Sequence, residues 1–376
     1  MLKSRYEKER EKKMKRDLFV FSGQSNMMGA SVFPPKTEIT LARSFEYKHK
    51  ARRLGAQRGE FSAAVYPVGE FSYKDMDAAY AASLVDATGK SRLENYIENT
   101  YFCPAMSNLK SEKEKSVHVF AEFSEATAKS GVSLAPFLAW QWERCGEACA
   151  YAHIAKGGVS IDYFMTDEMV EEYARRIRIL NRERQMRLSP QISENGRMPG
   201  AADYFFEKCK HFFEDAEARF LGDEMKNKCF FWLQGESDVG FAEVEYEVKL
   251  DILWSRLRQI GFTHFFCLRV GFFGAPSVSR VMKAQENFVS RHEDAYMLTR
   301  AASYFVHPEN GEDWFISPPD ARYLHCRDSF YGFKNQHINE KGFFVLAEDA
   351  VKNLYRVLVL GGACIPEEEN IRALLS

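Results

Sequence analysis

The sequence predicts an α/β fold: a parallel sheet of about five strands with helices packed on both faces. Three observations predict it. Short runs of bulky apolar residues recur along the chain, amphipathic helical segments separate them, and the turn-forming segments that carry polar chemistry fall just after the apolar runs. In open parallel sheets that last position is the carboxyl end of a strand, where sites form.

The strands are expected at Leu18–Phe21, Ala150–Ala155, Cys229–Leu233, Phe265–Val270 and Tyr296–Thr299, each short and apolar as strands covered on both faces must be. A helix opens at Asp167 and Glu168, whose charge suits a helix N-terminus, and Glu171 and Glu172 stand four residues before Arg175 and Arg176. A second runs from about Phe241 to Leu257, with Tyr246, Leu250, Leu253, Trp254 and Leu257 on one side. A third covers Val278–Ser290, and the last covers Lys341–Leu358 with Phe343, Phe344, Ala347, Val351 and Leu354 inward. Residues 31–116 read as polar, aromatic and irregular, and residues 182–226 as turn-prone followed by another helical pattern. Both read as insertions in one domain over residues 17–362, between a charged extension (1–16) and a tail (363–376).

Composition excludes several classes. With 45% hydrophobic and 28% charged residues the 376-residue chain is an ordinary globular protein, and a formal net charge of -2 gives no electrostatic footprint for nucleic acid. Residues 1–16 carry eight basic and three acidic side chains, but the apolar run behind them is four residues long. A secretory signal needs about 7–15, so a solvated extension is expected. No uncharged stretch approaches the ~18 apolar residues of a membrane span. The eight cysteines contain no C-x-x-C pair, and Cys145 and Cys149 lack a second pair to complete a zinc site. Reduced thiols and a cytoplasmic location are the expectation.

Four segments carry chemistry. Ser22-Gly23-Gln24-Ser25-Asn26-Met27 follows the first strand and exposes a serine on a turn; it is not a G-x-S-x-G elbow, because Met27 replaces the second glycine. The second strand runs into Lys156-Gly157-Gly158, and the third into Trp232-Leu233-Gln234-Gly235-Glu236-Ser237-Asp238. Asn335-Gln336-His337-Ile338-Asn339 precedes the last helix. Thr88-Gly89-Lys90-Ser91 is not a phosphate loop, since Leu84 occupies the required glycine position. His118, His153, His211, His264, His292, His307 and His325 are scattered and read as packed or surface residues, and the basic patch around Lys48–Arg53 as a solvated face.

Together the four segments resemble the SGNH hydrolases, in the SASA-domain branch of carbohydrate and sialate O-acetylesterases. The tryptophan–glutamine–glycine–glutamate–aspartate pattern at residues 232–238 is the most specific match, and Leu268-Arg269-Val270-Gly271 with Ala284-Gln285 also looks like this branch. The resemblance covers roughly residues 17–30, 130–162 and 226–358. It implies a three-layer α/β/α sandwich with a flavodoxin-like strand order and an esterase that needs no metal or organic cofactor. Ser25 would be the nucleophile and His337 its general base, later the acid for the leaving oxygen. The oxyanion would meet the Ser25 N–H, a glycine N–H at Gly157 or Gly158, and the Gln234 amide. Gln24, Asn26, Glu236 and Asp238 would brace the loops.

One position departs from the pattern. The family carries aspartate three residues before the histidine, and this chain has Lys334, which cannot accept an imidazole N–H. Three arrangements stay open: a Ser25–His337 dyad oriented by a backbone carbonyl, a carboxylate from elsewhere with Asp328 or Asp320 nearest upstream, or a degenerate site. The expected function is removal of O-acetyl or other short acyl groups from a small molecule or oligosaccharide, for example an acetylated sialic acid or polysaccharide. The alternatives are an acyl-ester hydrolase or acyl transfer enzyme of glycan biosynthesis, or a non-catalytic glycan-binding protein. Oligomeric state is left open.

Overall fold

In a computed structural model the structure describes residues 14–28, 41–49, 59–62, 133–192, 197, 200–271, 277–304, 338 and 340–365. Its centre is a seven-stranded sheet in the order β3-β2-β4-β1-β5-β6-β7. The strands are β1 (Lys15–Gly23), β2 (Phe45–His49), β3 (Gly59–Ser62), β4 (Cys149–Ala155), β5 (Glu224–Leu233), β6 (His264–Leu268) and β7 (Ala295–Thr299). Six are parallel, and β3 lies antiparallel to β2 at one edge. The five predicted strands are β1, β4, β5, β6 and β7. In chain order they lie 2-1-3-4-5, the flavodoxin-like order, with its switch point beside β1.

Side chains alternate to the two faces of the sheet, and each face has its own core. Phe19, Phe21, Phe231, Leu233, Phe266 and Leu268 pack under α2 (Leu134–Arg144) and α7 (Glu340–Leu358). Val20, Phe230, Trp232, Phe265 and Cys267 pack under α3 (Asp167–Arg184), α4 (Ala201–Arg219), α5 (Glu243–Gln259) and α6 (Val278–Arg291). The remaining α-helix among the described residues, α1, is the four-residue turn Ser25–Met28. The result is the expected three-layer sandwich. No described helix is long and apolar enough to cross a membrane. The described cysteines are free thiols, and Cys149, Cys209, Cys229 and Cys267 are buried.

Two differences from expectation have physical causes. Strand β1 starts three residues earlier than its apolar run, through Lys15, Arg16 and Asp17. Arg16 and Asp17 are buried there because each finds partners. The Arg16 guanidinium donates to Arg43 O (2.6 Å) and Asp223 Oδ2 (3.1 Å) and lies 4.2 Å from the Phe220 ring centroid. Asp17 accepts from Asn227 Nδ2 (2.7 Å) and Trp142 Nε1 (3.2 Å), while burial raises its carboxyl to about 6. The second difference lies in residues 31–116, which contribute β2 and β3 to the sheet. The β2 sequence, Phe-Glu-Tyr-Lys-His, is polar at every other position, as an outer strand can be. Tyr47 is buried against Phe212 of α4, with ring centroids 5.4 Å apart.

Candidate active site

Three strand ends are stitched together at one edge of the sheet. Strand β1 ends at Gly23, whose carbonyl accepts the Lys156 N–H just past β4 (3.0 Å), and the Gln24 N–H donates to Leu233 O at the end of β5 (3.2 Å). The chain then turns sharply into α1. Gly23 has φ 148°, and a Cβ built there would lie 2.0 Å from Leu233 O. No backbone atom can yield that distance without parting the strands. Gly23→Ala is therefore expected to destabilise the fold by about 2–5 kcal/mol, read as a lowered urea midpoint. An unchanged midpoint would contradict the close approach. Gly235 is similarly restricted, with φ 144° and a notional Cβ 2.5 Å from Val281 Cγ1.

Ser25 opens α1 and is half-buried, and its hydroxyl has no hydrogen bond among the described residues. Gly157 and Gly158 form the turn after β4, the first half-buried and the second exposed with φ 71°. Both blocks thus reach solvent at the same edge, on the ends of adjacent parallel strands.

Behind them lies a buried polar network. Gln24 Oε1 accepts from Gln234 Nε2 (3.1 Å) and from the Ser237 N–H (3.2 Å). Gln234 Nε2 also faces Val159 O (3.1 Å) and Asp238 Oδ2, and Gln234 Oε1 accepts from the Tyr246 hydroxyl (2.7 Å). Gln285 Nε2 donates to Gln234 O (2.8 Å). Gln234 is fully buried, and its two amide protons already have three acceptors. In this arrangement Gln234 is the knot joining the nucleophile block, the glycine loop and α5. Donation to a substrate oxygen requires release of one of those acceptors.

Asp238 holds the same loops together from the other side. Its Oδ2 accepts the Ile161 N–H (2.9 Å), and burial raises its carboxyl to about 6 against the bonds from Ser160 and Gln234 that lower it. Asp162, just beyond, forms a buried ion pair with Lys249 of α5 at 2.7 Å, which fastens the glycine loop to the helix layer.

Asn26 joins two further segments. Its Nδ2 donates to Glu236 Oε1 (2.6 Å), and its Oδ1 accepts the Ile338 N–H (3.0 Å). Burial is the main reason that the Glu236 carboxyl is raised to about 7; Asp238 adds to the rise and Asn26 opposes it. Glu236 Oε2 is buried with no hydrogen-bond partner among the described residues. Ile338 directly follows His337 in the chain. His337, Lys334, Asp328 and Asp320 lie outside the described residues.

The structure therefore brings together Gln24, Ser25, Asn26, Gly157, Gly158, Gln234, Glu236 and Asp238. In the sequence Tyr246 shows only as part of the apolar side of a helix, and Gln285 carries no assigned role. Both close the network. A buried tyrosine hydroxyl needs a partner, and Ala284-Gln285 is part of the resemblance; those are the signals the sequence holds for the two.

No family of proteins described by sequence matches the chain, and no characterised protein matches it in sequence. Solved structures similar to it include a protein of Arabidopsis thaliana (12% identity, 92% of this chain and 99% of that one, TM-score 0.44). A carbohydrate acetylesterase of Xanthomonas citri is 13% identical over 92% of this chain and 57% of its own, with a TM-score of 0.45. NanS is 8% identical over 92% of this chain and 98% of its own, also with a TM-score of 0.45.

Proposed function

We propose that this protein is a serine esterase that removes O-acetyl or other short acyl groups from a carbohydrate. One observation carries the proposal. A half-exposed serine, a glycine turn and the backbone next to His337 are held at one edge of a parallel sheet, the last of them by the side chain of the residue after the serine.

The chemistry follows from those groups. Ser25 Oγ attacks the ester carbonyl while His337 takes its proton. The C=O electrons move onto oxygen, and the oxyanion is met by the Ser25 N–H and a glycine-turn N–H at Gly157 or Gly158, with Gln234 behind them. The intermediate collapses by breaking the bond to the sugar oxygen, which takes the proton from His337. Water, deprotonated by the same histidine, then releases the acid and regenerates Ser25. Glu236 is the carboxylate that the described site holds beside the nucleophile block, one asparagine away from Ile338. It takes the part left open by Lys334: its negative charge favours the protonated histidine formed in each step.

The test pairs a probe with product analysis. A fluorophosphonate is expected to label Ser25, and acetate is expected from acetylated sialic acid or acetylated xylo-oligosaccharides, with one class favoured. Absence of labelling together with retained glycan binding would favour a non-catalytic binding protein. Equal, feeble release from every sugar would contradict a dedicated carbohydrate esterase.

A further inference from the structure

His153 stands apart from the other described histidines, His211, His264 and His292. It is on β4, opposite Phe21 of β1 in the register, and is 5% exposed. Its Nε2 lies 2.6 Å from the carbonyl oxygen of Met27, inside α1. A carbonyl only accepts, so Nε2 carries the proton and donates. Nδ1 is then a bare acceptor, and it is buried without a hydrogen-bond partner among the described residues. Burial holds the imidazole neutral, lowering it to about 4.

These facts exclude one role and indicate another. His153 cannot take a proton from Ser25, because one ring nitrogen is committed to Met27 and the other is sealed in the interior. The bond it makes is nevertheless made to the turn that carries the nucleophile. A four-residue helical turn does not hold itself, since nucleation is unfavourable and its last carbonyls have no partner within the helix. The start of the turn is fixed by the sheet, through Gly23 O and the Gln24 N–H. Its middle is fixed by Asn26, between Glu236 and Ile338. His153 fixes its far end from below, where the Met27 side chain is also fully buried.

We infer that His153 is a positioning residue for the nucleophile: its bond to Met27 O locks the end of the turn, so that the Ser25 hydroxyl and N–H keep one orientation toward the acyl group. The inference rests on the serine-esterase proposal. It was not legible in the sequence, because nothing in the spacing of residues 27 and 153 joins them.

The experiment is a reach series at one position, read on 4-nitrophenyl acetate. Phenylalanine removes the donor, glutamine places an amide N–H close to where Nε2 stands, and asparagine supplies the same amide too short to reach Met27 O. His153→Phe and His153→Asn are expected to lower kcat by about 10- to 100-fold, the scale of a small misplacement at a reacting centre. KM should stay within about twofold and fluorophosphonate labelling should slow in parallel, because labelling reads the nucleophile alone. His153→Gln is expected to restore most of both. If His153→Phe does not fold, the glutamine–asparagine comparison decides, since the two differ in reach and not in chemistry. Wild-type kcat in the asparagine variant, or an equal loss in the glutamine and asparagine variants, overturns the positioning role. Ser25→Ala is run alongside. Turnover that survives it overturns the esterase proposal and this role together. Turnover abolished by Ser25→Ala yet indifferent to His153 overturns this role alone.

Discussion

Replacing Ser25 with alanine is expected to lower kcat for an aryl acetate by about 10⁴-fold or more while leaving the urea midpoint where it was. The two halves of that result have separate causes. The hydroxyl has no hydrogen bond among the described residues, and Ser25 is half-buried at the first position of α1, so its loss leaves no buried group unpaired. A substitution of that kind normally changes stability by less than about 0.5 kcal/mol. Catalytically it removes the atom to which the acyl group is to be bonded, and water must then attack directly. What survives is the stabilisation offered by the oxyanion donors, which accelerates even an uncatalysed attack. A small residual rate above background is thus part of the expected result, and it should not be labelled by a fluorophosphonate. Unchanged turnover in the variant would remove the serine mechanism, whatever its fold.

Much of this architecture was written locally. The runs at Leu18, Ala150, Cys229, Phe265 and Tyr296 are apolar on both faces because helices cover both faces of the sheet, and that is a pattern a sequence displays. The ends of the strands were less visible. Arg16 and Asp17 look like loop residues until Asp223, Trp142 and Asn227 are brought to them, and these lie more than a hundred residues away. Strand β2 is hard to see for a related reason: Lys48 and His49 read as a surface patch, and the core contacts of Tyr47 and Phe45, with Phe212 and Phe220, are made to residues far along the chain. The site divides in the same way. Gly23-Gln24-Ser25, Gly157-Gly158 and Gln234 through Asp238 were identifiable as blocks because each is contiguous. The commitments of Gln234 were not, since its acceptors and donors come from Gln24, Val159, Asp238 and Tyr246. A glutamine whose amide could serve an oxyanion and one whose amide ties three segments together have the same letter and the same neighbours in the chain.

Glu236→Gln is expected to lower kcat by about 10²–10⁴-fold with little change in KM, and the cause can be separated from packing by its pH dependence. The variant keeps an acceptor for Asn26 Nδ2 and nearly the same volume, so the brace between the two loops survives. It loses the charge. In the wild type, burial raises the carboxyl from 4.5 to about 7, so its ionised fraction grows across the neutral range. Activity that depends on that charge rises with pH through the same window, alongside the rise set by His337, which must be neutral to act as a base, and the glutamine variant should lose Glu236's part of that limb and keep the histidine's. Stability moves the opposite way. An acid whose value is raised by folding binds its proton more tightly in the native state, so its contribution is most favourable below pH 4.5 and is lost as pH rises through about 7. Asp238, raised to about 6, contributes in the same direction and is still present in the variant. The difference in slope between wild type and Glu236→Gln, measured by urea unfolding from pH 4.5 to 7.5, therefore isolates Glu236. Equal slopes and equal kcat would leave it as a neutral brace for Asn26. A reduced slope with wild-type kcat would show a buried titrating acid that the reaction does not use, and would return the missing partner of His337 to Asp328, Asp320 or a backbone carbonyl.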